Sequence, residues 1–129
     1  MPYDILSKKC LVVDDDRSTR KIIRIYMEKH SYEVVEAEDG ENALELCKEN
    51  KFDCILLDWN MPNVDGIEFL QKITYENNND RPIIVVVSAR NTYNDIGKAV
   101  LDHGADGFII KPFLQDDLNN KLRDFGVII

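Results

Sequence analysis

The chain has 129 residues, 44% of them hydrophobic and 31% charged, and a formal net charge of −8. These values are typical of one globular domain, and the negative charge argues against nucleic-acid binding, because phosphate contacts supply most of that affinity. No apolar stretch approaches the roughly 20 residues of a membrane span, and the N-terminus does not form a signal peptide. We therefore expect a single cytoplasmic domain over residues 1–129, with no output domain and no membrane partner.

The three cysteines lack the spacing of metal ligands and fall in apolar runs, so we expect buried thiols in a reducing compartment.

Short apolar runs alternate along the chain with segments of helical periodicity. This repeated βα pattern predicts a parallel sheet covered by helices on both faces. Strands are predicted at 11–13, 34–35, 54–57, 83–87 and 108–110, and helices at 19–30, 43–47, 67–73, 96–103 and 114–125.

Polar side chains follow four of the five predicted strands, at the point where each strand ends. Asp14 and Asp15 follow the first strand, Asp58 the third, Ser88 the fourth and Lys111 the fifth. Because the carboxyl ends of parallel strands meet at one edge of a sheet, we expect these side chains to lie near one another. Carboxylates, a hydroxyl and an ammonium together suit a divalent cation and a phosphoryl group.

The periodicity leaves the strand order open. In the flavodoxin-like order 2-1-3-4-5, strands one and three are neighbours, which would bring Asp14, Asp15 and Asp58 to one crevice. Three crowded carboxylates repel each other unless a cation lies among them, and a small set of oxygen ligands suits Mg²⁺. A carboxylate beside Mg²⁺ can attack a phosphoryl group and become an acyl phosphate.

Each of these residues also has a purely structural interpretation. Asp14 and Asp15 could serve as helix caps or solvated charges, although Asp16 or Ser18 is better placed to cap the first helix. A lone lysine before proline is usually a surface charge. The four elements occurring together, in order and each at a strand end, favour the functional interpretation.

Four motifs span the chain: Val12-Val13-Asp14-Asp15, Asp58-Trp59-Asn60-Met61-Pro62 with Asp65-Gly66, Ser88-Ala89, and Phe108-Ile109-Ile110-Lys111-Pro112-Phe113. In this combination the chain resembles a response-regulator receiver domain of the single-domain chemotaxis (CheY-like) type. The resemblance implies a flavodoxin-like (βα)5 doubly wound sandwich with the sheet order 2-1-3-4-5. It also implies that Asp58 is the phosphoacceptor, and that Asp15, Asp58 and the backbone carbonyl of Asn60 bind Mg²⁺, with Asp14 acting through a bound water.

By the same resemblance, Ser88 and Lys111 contact the phosphoryl group, and Phe108 is the switch aromatic that moves inward behind the hydroxyl. Its alternative is a plain core aromatic. Asn60 and Arg90 occupy the positions that tune the lifetime of the phosphoryl group. Asp16 is an additional acid, which we expect to point out of the site.

The resemblance implies a phosphoryl donor, either a histidine kinase or a histidine phosphotransfer protein, docking near the first helix. A downstream protein would bind the face formed by 94–103, 107–111 and 114–125, as in chemotaxis. Alternatives within the family are a phosphorelay intermediate and a cell-cycle or regulatory adaptor.

Outside the family, a Mg²⁺-dependent phosphatase would need a second acid where Asn60 stands. A flavodoxin-type electron carrier would need a phosphate-binding first loop without acids. A scaffold that is never phosphorylated is a further alternative.

Overall fold

The computed structural model describes residues 8–59, 66–73, 81–89 and 104–128. The predicted helix at 96–103 and the predicted site residues Asn60 and Arg90 lie outside these ranges. The elements are β1 (Lys9–Val13), α1 (Arg17–Glu28), β2 (Glu33–Ala37), α2 (Gly40–Glu49), β3 (Cys54–Asp58), α3 (Gly66–Lys72), β4 (Ile83–Ala89), β5 (Gly107–Lys111) and α4 (Gln115–Asp124).

All pairings in the five-stranded sheet are parallel, and the strand order is β2-β1-β3-β4-β5. The predicted flavodoxin-like order is therefore confirmed. Strands β1 and β3 are neighbours, and Asp58 at the end of β3 stands opposite Val87 of β4. The strands with polar groups at their carboxyl ends are β1, β3, β4 and β5. Because all pairings are parallel, these ends lie along one edge of the sheet.

Helices cover both faces of the sheet, because successive side chains of each strand point to opposite sides. Ile23 and Met27 of α1 pack with Leu118 and Leu122 of α4 on one face. Helices α2 and α3 cover the other face, where Phe69 is fully buried. Because the sheet is buried on both faces, the sequences of its strands are nearly continuous apolar runs.

Two helix starts are capped by aspartate. Asp16 accepts a hydrogen bond from the Ser18 amide at 3.2 Å, and Asp39 accepts one from the Asn42 amide at 2.7 Å. Each bond satisfies a donor that the first helical turn leaves without a partner. Of the two caps considered for the first helix, the structure therefore has Asp16, so α1 begins directly after the acidic loop Asp14-Asp15-Asp16.

Two large apolar side chains of the predicted helical segments are exposed. Ile22 of α1 is 47% exposed, because it lies on the side of the helix that faces away from the sheet. Leu114 falls within the predicted helix 114–125, but it precedes α4 and is 74% exposed. Its amide donates to Asp117 Oδ2 at 2.9 Å, so Leu114 caps the start of α4 and is not part of the hydrophobic core.

In the part of the chain that the structure describes, no helix combines the length and apolar character that crossing a membrane requires.

Candidate functional site

Three carboxylates meet at the ends of β1 and β3. One oxygen from each of Asp14, Asp15 and Asp58 lies within 4.8 Å of the others. Asp14 is 1% exposed and Asp58 is 5% exposed, whereas Asp15 is open to solvent. Among the described residues, this is the one cluster of three or more potential metal-ligating side chains. Two of the three acids are therefore buried, and the site is accessible to solvent at Asp15.

The main chain around Asp14 is held on several sides. Its amide donates to the Ala37 carbonyl at 3.1 Å, which continues the β1–β2 pairing by one residue. Its carboxylate accepts the Asp16 amide at 2.8 Å, and its carbonyl accepts a hydrogen bond from Arg20 Nη1 at 2.7 Å. The acidic loop is therefore anchored to β2 and to α1.

The other half of the site rests on β4. The amide of Trp59, the residue after Asp58, donates to the Val87 carbonyl at 3.1 Å. Trp59 itself is 5% exposed and belongs to the core on the α2 and α3 face. The end of β3 is thus fixed to the neighbouring strand just where Asp58 leaves it.

Lys111 contacts both buried acids. Its Nζ lies 2.9 Å from Asp14 Oδ2 and 3.5 Å from Asp58 Oδ1. Desolvation lowers the pKa of Lys111, but the hydrogen bond to Asp14 and the charges of Asp58 and Asp14 outweigh it and raise this pKa above its ordinary value. The ammonium is therefore a permanent positive charge at neutral pH, placed between the two carboxylates.

Ser88 lies near the end of β4 and is fully buried. Its register partner on β5 is Ile110, and Phe108 stands two residues earlier, opposite Val86. Because side chains alternate along a strand, Ser88 and Phe108 project to the same face of the sheet. Phe108 is half-buried against the core of that face, and Lys121 Nζ lies 5.5 Å from the centre of its ring.

Asp16 is not part of the acid cluster. Hydrogen bonds from the Thr19 hydroxyl, at 2.7 Å, and from the Ser18 amide lower its pKa. It is exposed and serves as the cap of α1. The expected orientation away from the site is the one observed.

The structure thus brings together the predicted site residues Asp14, Asp15, Asp58 and Lys111, with Ser88 and Phe108 on the adjacent strands. The sequence-based reasoning missed Arg20, which holds the Asp14 carbonyl. Nothing in the sequence separates Arg20 from the other basic residues of α1, which are Arg17, Lys21 and Arg24.

The donor set fits a hard divalent cation. All three side chains offer carboxylate oxygens, which suit Mg²⁺ better than softer metals. The mutual repulsion of closely spaced carboxylates favours a further positive charge beside Lys111.

Residues 10–123 match the response regulator receiver domain family, and the chain belongs to that family. It is therefore a receiver domain of a two-component response regulator, a signalling protein rather than a classical enzyme, and the family implies an upstream histidine kinase. The expected resemblance to a receiver domain is confirmed, and receiver domains bind Mg²⁺ through an acidic cluster like that of Asp14, Asp15 and Asp58.

Individual relatives support the same family. Response regulator ArlR of Staphylococcus saprophyticus is 36% identical over 89% of this chain and 50% of its own length. Transcriptional regulatory protein SrrA of Staphylococcus aureus is 36% identical over 84% of this chain and 43% of its own length. The chain thus spans about half the length of these curated relatives.

Solved structures agree with the fold. Chemotaxis response regulator CheY4 of Vibrio cholerae superposes with a TM-score of 0.82 at 29% identity, over 92% of this chain and 98% of the other. The receiver domain of the Francisella response regulator 1452 gives a TM-score of 0.77 at 30% identity, over 92% of this chain and 95% of the other.

Proposed function

We propose that this receiver domain takes a phosphoryl group on Asp58 from a histidine kinase or a histidine phosphotransfer protein, with Mg²⁺ as the cofactor. The observation that carries the proposal is the position of Asp58, buried at a strand end with two further carboxylates and the Lys111 ammonium beside it.

In the reaction, an Asp58 oxygen attacks phosphorus and forms an acyl phosphate. The bond from phosphorus to the donor's imidazole nitrogen breaks, and its electron pair stays on that nitrogen. Lys111 neutralises charge on the phosphoryl oxygens, and the Ser88 hydroxyl donates a hydrogen bond to one of them. Hydrolysis of the acyl phosphate resets the domain, so its catalysis is confined to its own phosphorylation and dephosphorylation.

Asp15 and Asp58 would bind the Mg²⁺ directly, and Asp14 would bind it through water. The carbonyl of Asn60 completes the proposed set from outside the described residues. When bound, the cation would offset the negative charge that the carboxylates and the incoming phosphoryl group bring together. The carboxylates provide its oxygens, and Lys111 and the amide of Asp16 hold Asp14 in place.

Signal output is proposed to follow the Ser88 and Phe108 switch. Phosphorylation adds a charge of about −1.5 to −2 at the strand ends, and the hydroxyl follows the new acceptor oxygens. Phe108 then moves toward the space behind Ser88, which changes the face formed by 94–103, 107–111 and 114–125. Asn60 and Arg90 would set how long the phosphoryl group persists.

The downstream partner is proposed to be a protein, as for chemotaxis regulators, and a phosphorelay or adaptor role is the alternative. The solved relative CheY4 is by title a chemotaxis response regulator, whereas the curated relative SrrA is by name a transcriptional regulator. The absence of an output domain stays a prediction. Binding of the phosphorylated protein to a flagellar switch component, compared with a histidine phosphotransfer protein, separates these roles.

The first test follows Trp59 fluorescence during addition of Mg²⁺ and then of a small phosphodonor. Trp59 is the chain's single tryptophan and adjoins Asp58, so the signal is local. We expect saturable quenching by Mg²⁺, then a phosphodonor-dependent change and a mass increment that Asp58→Asn lacks. Absence of both responses in the wild type would favour the scaffold that is never phosphorylated.

A further inference from the structure

Arg20 connects the acidic loop to β2 through the two sides of its guanidinium. Nη1 donates to the Asp14 carbonyl at 2.7 Å, and Nε donates to Glu36 Oε1 at 3.1 Å. The Arg20 side chain is only 14% exposed. A planar guanidinium held by a carboxylate on one edge has its other N–H groups aimed in a fixed direction, and here that direction is the main chain of Asp14.

Arg24, one turn further along α1, makes a closely similar pair of contacts without touching the site. Its Nη1 lies 3.1 Å from Glu36 Oε2, and its Nη2 donates to the Val34 carbonyl at 2.8 Å. Both arginines therefore pair with the same carboxylate and with one backbone carbonyl. They differ in the carbonyl that they hold. Arg20 holds the carbonyl of Asp14, which is a residue of the acid cluster, whereas Arg24 holds that of Val34.

We propose that Arg20 is a positioning residue for the metal and phosphoryl site, acting through the main chain of Asp14 with Glu36 as its anchor. The inference rests on the proposed function and adds to it a residue outside the acid cluster. In the part of the chain that the structure describes, Arg20 is the side chain that holds the Asp14 carbonyl, so without it the carboxylates would sample more arrangements. Groups that hold metal-binding residues in place through hydrogen bonds typically contribute about 10- to 100-fold to metal affinity.

The sign of the effect separates positioning from simple electrostatics. Removal of a positive charge near three carboxylates would by itself tighten the binding of a cation. Loss of positioning would weaken it, because the ligand oxygens must then be ordered when the ion binds. A neutral Arg20 variant that binds Mg²⁺ more weakly than the wild type can therefore owe this only to lost positioning.

The test compares Arg20→Gln and Arg20→Lys with the matched control Arg24→Gln. Mg²⁺ affinity is measured by Trp59 fluorescence, and amide hydrogen exchange of Asp16 is measured without Mg²⁺. We expect Arg20→Gln to weaken Mg²⁺ binding about tenfold and to speed exchange, and Arg24→Gln to change the affinity less than about twofold. Arg20→Lys keeps the charge but loses the fork that holds two acceptors, so it should fall between them.

Equal or tighter Mg²⁺ binding by Arg20→Gln than by Arg24→Gln would overturn the proposal. If Arg20→Gln does not fold, Arg20→Lys decides by the same comparison, with at least about threefold weaker binding expected. If the wild type shows no Mg²⁺ response, the proposed function fails by itself, and the exchange measurement still decides the inference. Unchanged exchange at Asp16 in both Arg20 variants would then refute it.

Discussion

Lys111 donates a 2.9 Å hydrogen bond to Asp14, although β5, which ends at Lys111, and β1, which Asp14 directly follows, are separated in the sheet by β3 and β4. The lysine thus reaches across the ends of two strands to a carboxylate whose side chain is 2% exposed. A buried carboxylate needs such a partner, since leaving it without one is costly. The pair links the two sides of the candidate site.

Lys111→Met should destabilise the protein when Mg²⁺ is absent. Asp14 keeps its bond from the Asp16 amide but loses its charged partner, and we expect a loss of about 1–3 kcal/mol in the free energy of unfolding. Saturating Mg²⁺ should reduce this loss, because the cation supplies the missing positive charge. Urea denaturation with and without Mg²⁺ measures both values. Lys121→Met is the control, and a loss that Mg²⁺ leaves unchanged would contradict the expectation.

The same pair predicts a loss of stability at alkaline pH. The net effect of Asp14 and Asp58 raises the pKa of Lys111 in the folded protein, despite desolvation, which alone would lower it. A raised folded pKa means that the stabilisation is complete below the unfolded pKa of about 10.4 and is lost as pH rises through the folded pKa.

The difference in unfolding free energy between the wild type and Lys111→Met, followed from about pH 7 to about pH 12, isolates this contribution. It should be constant up to about pH 10 and decline above it. A difference that disappears already near neutral pH would argue that the lysine is not held by the two carboxylates.

Ser88→Ala should separate phosphorylation from its readout. The substitution removes the hydroxyl proposed to follow the phosphoryl oxygens, while Asp58 and the acid cluster remain. We expect the phosphodonor still to add mass to the protein, but the change in amide hydrogen exchange across Gly107–Lys111 to be largely lost. Ser18→Ala, at the exposed start of α1, is the control. A full exchange response in Ser88→Ala would exclude the hydroxyl from the switch.

Gly107→Ala should destabilise the protein through the ring of Phe125. A Cβ at Gly107 would overlap that ring, which lies directly on the first residue of β5. We expect a cost of about 1–3 kcal/mol, and a smaller cost in a Phe125→Leu background. A double-mutant cycle by urea denaturation measures the coupling. Gly104→Ala, where φ is +85°, is strained by its backbone, so its cost should simply add to that of Phe125→Leu.

The three cysteines should react slowly with thiol reagents in the folded protein. Burial raises the pKa of Cys10 well above its ordinary value, and that of Cys47 to about 11. Because the thiolate is the reactive form, we expect Cys47 to react more than about a hundredfold slower than a free thiol at pH 8, and Cys10 slower still. Labelling followed by mass spectrometry, with a urea-unfolded control, measures the rates. Rapid native labelling of Cys10 or Cys54 would contradict their burial.

Much of the fold could be predicted from local patterns, and the failures have physical causes. The apolar run 54–57 predicts β3 because a strand buried on both faces needs apolar residues at every position. Helical spacing marks the last helix as well, because it shows which residues share a face, but it does not show where the helix begins. The helix was therefore predicted to start at residue 114, whereas it starts at Gln115 and Leu114 is exposed.

The sequence by itself determined that carboxylates, a hydroxyl and an ammonium stand at the ends of four strands, because those residues directly follow the apolar runs. Periodicity could not determine which of these groups meet, since strand order and side-chain direction arise from packing between distant segments. Only the tertiary structure decided that Lys111 pairs with Asp14 across two strands, and that Arg20 rather than Arg24 holds the carbonyl behind it.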